Sequence, residues 1–306
     1  MLDAAGDIIV TGTTDDGITG VDMLTIKYSG SNGTMLWQKR YNGPANDDDF
    51  ANAVTVDTSG NVVVTGSSEG DYYTAKYAAV DGALLWEQRY NGPGAFEFRN
   101  DSARAVAVDG DGNVVVTGTS PGFNDSCYTA KYAAVDGALL WGKRSNDSPA
   151  ALAVDGNGNV VVSGSYNYDY YTAKYAAADG ALLWEKPFSV GSLAVAVDGS
   201  DNVVVTGYSS NETGYDYSTA KYAAKDGALL WEKRYNGPAN GDDSPGRHSL
   251  ARKIHTRWLN PRFRSFLSRW TKIFELAQNR WAQSPARGTK RQILSRPGRS
   301  AARIRH

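Results

Sequence analysis

Along the first 240 residues the apolar side chains come in short runs, separated by Gly, Asp and Asn. A representative stretch starts at Ala105 and reads AVAVDGDGNVVVTG, then a loop, then YTAKYAAVDGALLWGKR. Runs of four to seven Val, Ala, Thr and Tyr, bounded by turn residues, read as strands rather than helices. Four strands fit this stretch: A at Ala105–Val108, B at Val114–Thr117 closed by Gly118, C at Tyr128–Ala133, and D at Leu139–Lys143. Between A and B, Asp109 opens a tight turn that Gly112-Asn113 closes. Between C and D, Asp136-Gly137 is a hairpin signal, because both residues tolerate positive φ. A and B are continuous apolar runs, as for strands covered on both faces. D turns polar after its Trp, as for an outer edge strand.

The pattern recurs five times. The Trp of the (L/M)LW motif falls at Trp37, Trp86, Trp141, Trp184 and Trp231, spaced by 49, 55, 43 and 47 residues. A Lys stands ten residues before each: Lys27, Lys76, Lys131, Lys174 and Lys221. The C–D and A–B connections are constant in length. The B–C stretch (Gly to Lys: 15, 10, 13, 10 and 14) and the D–A stretch (Trp to the next Gly: 29, 32, 23 and 23) vary. In a four-stranded meander, A–B and C–D turns share one end and B–C and D–A loops the other. All length variation thus falls on one face, where repeat proteins place binding.

Four-stranded units of this period predict an all-β chain, a β-propeller of about five blades, in preference to a β-solenoid, whose turns are shorter and more regular. The first unit lacks most of strand A, so 19 strands are expected, in an incomplete or open ring. An unpaired edge in this Val-rich setting favours association.

The residues also carry a resemblance. AVDGDGNVVVTG and AVDTSGNVVVTG resemble the SBBP repeats of bacterial secreted and surface proteins. DGALLWEKRY is similar to the end of a pyrroloquinoline-quinone (PQQ) propeller repeat, in which a Thr-Gly-Lys-x-x-Trp stretch docks its Trp between blades. Gly82 and Trp86 fit that stretch; Asp81 replaces the Thr and Ala83 the Lys. The resemblance covers about residues 1–240 and implies a propeller of a secreted or cell-surface parent that binds a protein or carbohydrate on its variable-loop face. It also carries a competing implication, a fragment of a quinoprotein-type dehydrogenase.

Composition narrows the chemistry. Of 306 residues, 41% are hydrophobic, which is ample for a core. The single Cys excludes an internal disulfide, a cysteine metal cluster and the vicinal Cys pair of a quinoprotein dehydrogenase. No apolar run approaches a membrane span, and MLDAAGDIIV shows no signal peptide. No His lies in 1–244, so no His-based triad or zinc site is available there. Asp109, Asp111 and Asn113 have the spacing of oxygen ligands for Ca²⁺, as do Asp155, Asn157 and Asn159. Strand B starts directly afterwards, and a turn satisfied by its Asp side chain accounts for all five copies. The five Lys read either as a positive ring for an anion or as partners of the acidic body. The five Trp read as blade packing, and Cys127 as a packing variant of Tyr72. No catalytic, cofactor-binding or metal-binding residue is assigned, and no cofactor is expected.

The near-neutral net charge hides two unlike segments. Residues 1–244 carry a formal charge of −16, and 245–306 carry +15 with all three His and neither Val, Tyr nor Asp. In 258–281, Phe263, Phe266, Leu267, Trp270, Phe274, Ala277 and Trp281 follow helical spacing, with disorder expected beyond. Such a basic amphipathic helix fits an anionic membrane, a nucleic acid, or the acidic body. The repeat stops in mid-unit, and 13 Arg to 3 Lys is the signature of an out-of-frame reading of GC-rich DNA. The tail is therefore expected to be unnatural.

Overall fold

The computed structural model describes residues 1–15, 17–93, 101–122, 126–146, 148–166, 169–188, 191–211 and 214–237. All lie within the first of two units, Met1–His255. The basic tail and its expected helix at 258–281 lie outside the described residues.

The described chain is all-β, with nineteen strands in five antiparallel sheets, each a simple meander. The first blade has three strands: β1 (Ile8–Asp15), β2 (Val21–Tyr28) and β3 (Met35–Tyr41). A bridge from Leu2 to Ile8 is what stands of a fourth. The second blade is β4 (Asp49–Val56), β5 (Val62–Ser68), β6 (Asp71–Tyr77) and β7 (Leu84–Tyr90). The third is β8 (Ser102–Val108), β9 (Val114–Thr119), β10 (Cys127–Tyr132) and β11 (Leu139–Ser145). The fourth is β12 (Ser148–Val154), β13 (Val160–Tyr166), β14 (Asp169–Tyr175) and β15 (Leu182–Phe188). The fifth is β16 (Gly191–Val197), β17 (Val203–Asn211), β18 (Gly214–Tyr222) and β19 (Leu229–Tyr235). The strand count matches the expected nineteen, and the polar D strands sit at the sheet edges as anticipated.

Two expectations need correction. Strand B does not end at its Gly: β9 runs through Gly118 to Thr119. Gly118 is there because strand A bulges between Ala103 and Ala105, bringing the Ser102 carbonyl to 2.1 Å from where a Cβ would stand. Gly66 and Gly164 sit against the matching bulges. These Gly mark close backbone approach, not strand ends. Nor is strand A covered on both faces. Val114–Val116 of strand B are fully buried, but Ala105–Ala107 of β8, at the sheet edge, are half-buried.

The blades pack face to face, each joint with its own core. Alternation along strand C sends Tyr73, Ala75 and Tyr77 toward the first blade, where they meet Ile9, Met23 and Trp37. Tyr72, on the opposite face, meets Val114, Val116 and Tyr128 of the third blade together with Val63 and Trp86. Val115 and Trp141 repeat the joint against the fourth blade. Val161 and Trp184 repeat it against the fifth.

Candidate binding surface

The two ends of the sheets differ in what their side chains are free to do. At the end carrying the A–B and C–D turns, one polar relay recurs in the second to fifth blades, and in the first with Asp7 in place of the Asn. In the second blade, Asp57 Oδ1 accepts the N–H groups of Ser59 and Asn61, and Oδ2 accepts Asn61 Nδ2. Lys76 Nζ lies 2.9 Å from the same Oδ2. Asn61 Oδ1 in turn accepts the Ala79 N–H, tying the two turns together.

The relay then crosses to the next blade. Lys76 Nζ and Trp86 Nε1 both donate to the Ala134 carbonyl, at 2.9 and 3.2 Å. Lys27 and Trp37 converge likewise on Ala79, Lys131 and Trp141 on Ala177, and Lys174 and Trp184 on Ala224. Each Trp ring also lies against the Gly of that next C–D turn. A Cβ on Gly137 would stand 2.7 Å from Trp86, and Gly82, Gly180 and Gly227 meet Trp37, Trp141 and Trp184 the same way. These Gly are fixed twice over, since φ is near +70° and no side chain would fit.

The five Lys are thus placed by geometry: each ammonium sits against the Asp that opens the A–B turn of its own blade, at 2.6 to 2.9 Å. Both oxygens of Asp109 and Asp155 are thereby engaged, Oδ1 by backbone N–H groups and Oδ2 by an Asn amide and the ammonium. Among the described residues, no cluster of three or more His, Cys, Asp or Glu is arranged to hold a metal ion. Cys127 is buried in the slot that Tyr72 fills one blade earlier, beside Thr117 and Thr129.

The relay sets an acid-side stability limit. Burial alone would raise Asp57, Asp109 and Asp155, but the Lys and Asn hydrogen bonds hold all three below the usual carboxylate range. An unfolded Asp binds its proton near pH 3.8, whereas the folded one does so lower. Between those values the unfolded state carries more protons, so stability rises with pH. Stability is expected to fall as pH drops below about 4, and Asp109→Asn should flatten that slope. Urea titrations at closely spaced acidic pH values check this; an unchanged slope in Asp109→Asn refutes it.

The other end, carrying the B–C and D–A loops, holds features that the repeat analysis missed. An Arg three residues after the Trp braces the B–C loop of its own blade. Arg40 Nε donates to Asp22 at 2.7 Å. Arg89 reaches the Ser68 carbonyl and Glu69, and Arg144 the carbonyl and hydroxyl of Ser120. The next residue, a Tyr, forms a second joint between blades. Tyr41 stacks on Tyr73 at 3.8 Å and accepts from Arg89, while Tyr90 stacks on Tyr128 at 3.6 Å and accepts from Arg144. Burial and the neighbouring Tyr90 push the Tyr128 hydroxyl up to about 12. Ser145 stands at the Tyr position of the third blade and Pro187 at the Arg position of the fourth, so among the described residues the Arg–Tyr joint is seen between the first three blades. The signal was available as a recurring Arg-Tyr pair after the Trp.

On the loop rim of the first two blades several carboxylates reach the surface. Asp15, Asp47 and Asp48 are exposed, and Glu69 and Asp71 half-exposed. Asp49 is buried below them, its Oδ2 accepting the Gly43 N–H at 2.6 Å, and burial raises its pKa. Asp101 receives the Gly92 N–H in the same way. The Tyr-Asn-Gly-Pro segments at 41–44 and 90–93 are thus each pinned by the Asp at the start of the next strand A.

Comparison with known proteins agrees with this architecture. A family model described as outer membrane protein assembly factor BamB matches residues 4–123 and 129–254. No curated protein matches the sequence. Among solved structures, the Dos1 propeller is similar with a TM-score of 0.51 at 11% identity, over 71% of this chain and 55% of that one. BamB from Moraxella catarrhalis is matched at 15% identity and a TM-score of 0.42, over 76% of this chain and 78% of that one. Chaetomium thermophilum Sqt1, solved bound to the N-terminus of ribosomal protein L10, is matched at 12% identity and a TM-score of 0.49, over 70% and 58%.

Proposed function

Because the chain belongs to the propeller-repeat family described as outer membrane protein assembly factor BamB, we propose that it is a non-catalytic module of the bacterial cell surface that binds a protein partner on its loop end. One observation carries this reading: the turn end is constant in length and its relay is spent on joining blades, whereas all length variation lies at the loop end. The partner chemistry follows from charge. The repeat body is strongly acidic, the Arg side chains of the loop end in the first three blades are engaged in internal contacts, and Asp15, Asp47 and Asp48 face outward. A segment rich in Lys and Arg is the complementary partner.

A synthetic Lys/Arg-rich peptide, titrated by fluorescence anisotropy at several salt concentrations, tests the proposal. Two triple variants remove the same charge from opposite ends. Asp15→Asn, Asp47→Asn and Asp48→Asn together should weaken binding about tenfold and reduce its salt dependence. Asp81→Asn, Asp111→Asn and Asp136→Asn, all exposed at the turn end, should change it by less than about twofold. Equal losses from both ends would mean diffuse attraction to an acidic body and sink the loop-end site. Dye-linked turnover on addition of PQQ and Ca²⁺ would sink the non-catalytic reading.

A further inference from the structure

The four internal joints define a two-sided rule, and the described chain leaves one copy of each side uncovered. The forward side of a joint consists of the middle residue of strand B, a strand C residue, the Trp and the Lys: Val63, Tyr72, Trp86 and Lys76 in the second blade. The receiving side consists of the flanking strand B residues, the alternate strand C residues and the C–D turn: Val114, Val116, Tyr128, Ala130, the Ala134 carbonyl and Gly137 in the third.

On the fifth blade the forward side is uncovered. Trp231 is 41% exposed and Tyr235 60%, while Trp37, Trp86, Trp141 and Trp184 are buried. Val204 and Tyr217 are half-buried where Val63 and Tyr72 are fully buried. The Lys221–Asp198 pair is intact at 2.6 Å, yet it is about a quarter exposed where its counterparts in the second, third and fourth blades are closed off. On the first blade the receiving side is uncovered. Ile8 and Val10 are 41% and 43% exposed, against full burial of Val62 and Val64 at the same positions. Gly33 has a positive φ of +72°, close to the +67° of Gly82, but its Cβ direction meets nothing where the other four turns meet a Trp ring. The Gly30 carbonyl, in the place of the Ala134 carbonyl, receives neither a Trp nor a Lys among the described residues.

We propose that these two faces bind each other between copies of this chain: the fifth blade of one copy docks on the first blade of a second copy, head to tail. Trp231 packs on the partner copy's C–D turn at Gly33, with Trp231 Nε1 and Lys221 Nζ donating to the Gly30 carbonyl, as four joints within the chain already do. Val204 and Tyr217 cover the Ile8–Val10 face. The contact is heterologous, because the two sides are different surfaces, so it propagates until the rotation closes a ring. This assembly uses blade faces and leaves the loop end of every copy open.

The 306-residue chain tests this by light scattering and sedimentation over a roughly hundredfold concentration range. The wild type should grow beyond one chain as concentration rises. Trp231→Glu removes the forward side, and Val10→Glu the receiving side; both positions are exposed, so far-UV spectra should stay as in the wild type and melting should match that of the wild type at its lowest concentration. Each variant alone should be monomeric. Mixed one to one, they should form a species of two chains and no more, because one intact forward side meets one intact receiving side and the remaining ends each carry an introduced carboxylate. A wild type that stays monomeric throughout overturns the proposal. So does a Val10→Glu protein that still assembles alone, since that requires like faces to pair.

Discussion

Replacing Trp141 by Ala should lower the unfolding free energy by about 3–5 kcal/mol, while Trp231→Ala should change it by about 0.5 kcal/mol or less. Trp141 is buried among Val160, Val162, Tyr171 and Ala173 of the fourth blade and lies against Gly180. Truncation leaves a cavity between two sheets, and a sheet-on-sheet joint collapses poorly because both backbones are held by their own ladders. The lost Nε1 hydrogen bond adds little, because the Ala177 carbonyl keeps the Lys131 ammonium as a donor. Trp231 occupies the same sequence position but is 41% exposed. The pair therefore separates the residue type from the joint. Urea titration at low protein concentration, where copies are apart, gives both values. A Trp141→Ala loss below about 1 kcal/mol would falsify the docking role, because burial of that size cannot be energetically silent.

The parts of this fold that repeat were legible, since each position was sampled five times. The Trp phase, the Lys phase and the fixed turns all identified contacts that exist. Alternation along strand C correctly split Tyr72 from Tyr73 onto opposite faces. What stayed hidden depends on backbone atoms, which have no letter in a sequence. The joint converges on a backbone carbonyl, so the Ala that recurs at 79, 134, 177 and 224 does not announce an acceptor. The bulge that requires Gly118 belongs to strand A, at Ala103–Ala105, while the visible signature is in strand B. The Arg–Tyr joint was overlooked for a different reason. It appears twice, at Tyr41–Arg89 and Tyr90–Arg144, and Ser145 and Pro187 interrupt it before a five-fold pattern can form. A partial repeat looks like composition until coordinates pair its members.

Lys131→Met carries the second large effect, an expected loss of about 3–5 kcal/mol, with Lys221→Met costing about 1 kcal/mol or less. The Lys131 ammonium has three buried partners: Asp109 Oδ2 at 2.8 Å, the Ala177 carbonyl at 3.0 Å and the Gly158 carbonyl at 3.4 Å. An ammonium has three N–H donors, so the group is saturated. Met fills the space of the stem but leaves the Asp109 carboxylate buried without its counter-charge. The penalty is mainly that of the orphaned carboxylate, not the net worth of the pair. Adding Asp109→Asn to Lys131→Met should therefore recover part of the loss: Asn still accepts the Asp111 and Asn113 N–H groups through Oδ1, and it carries no charge. At Lys221 the same pair is partly open to water, which solvates whichever partner remains. If the double variant were no more stable than Lys131→Met, the orphaned charge would not be the source of the loss. The cost would then lie in the carbonyl contacts to the next blade, and Lys131 would be a docking residue like Trp141 rather than the counter-ion that lets the A–B turn be buried.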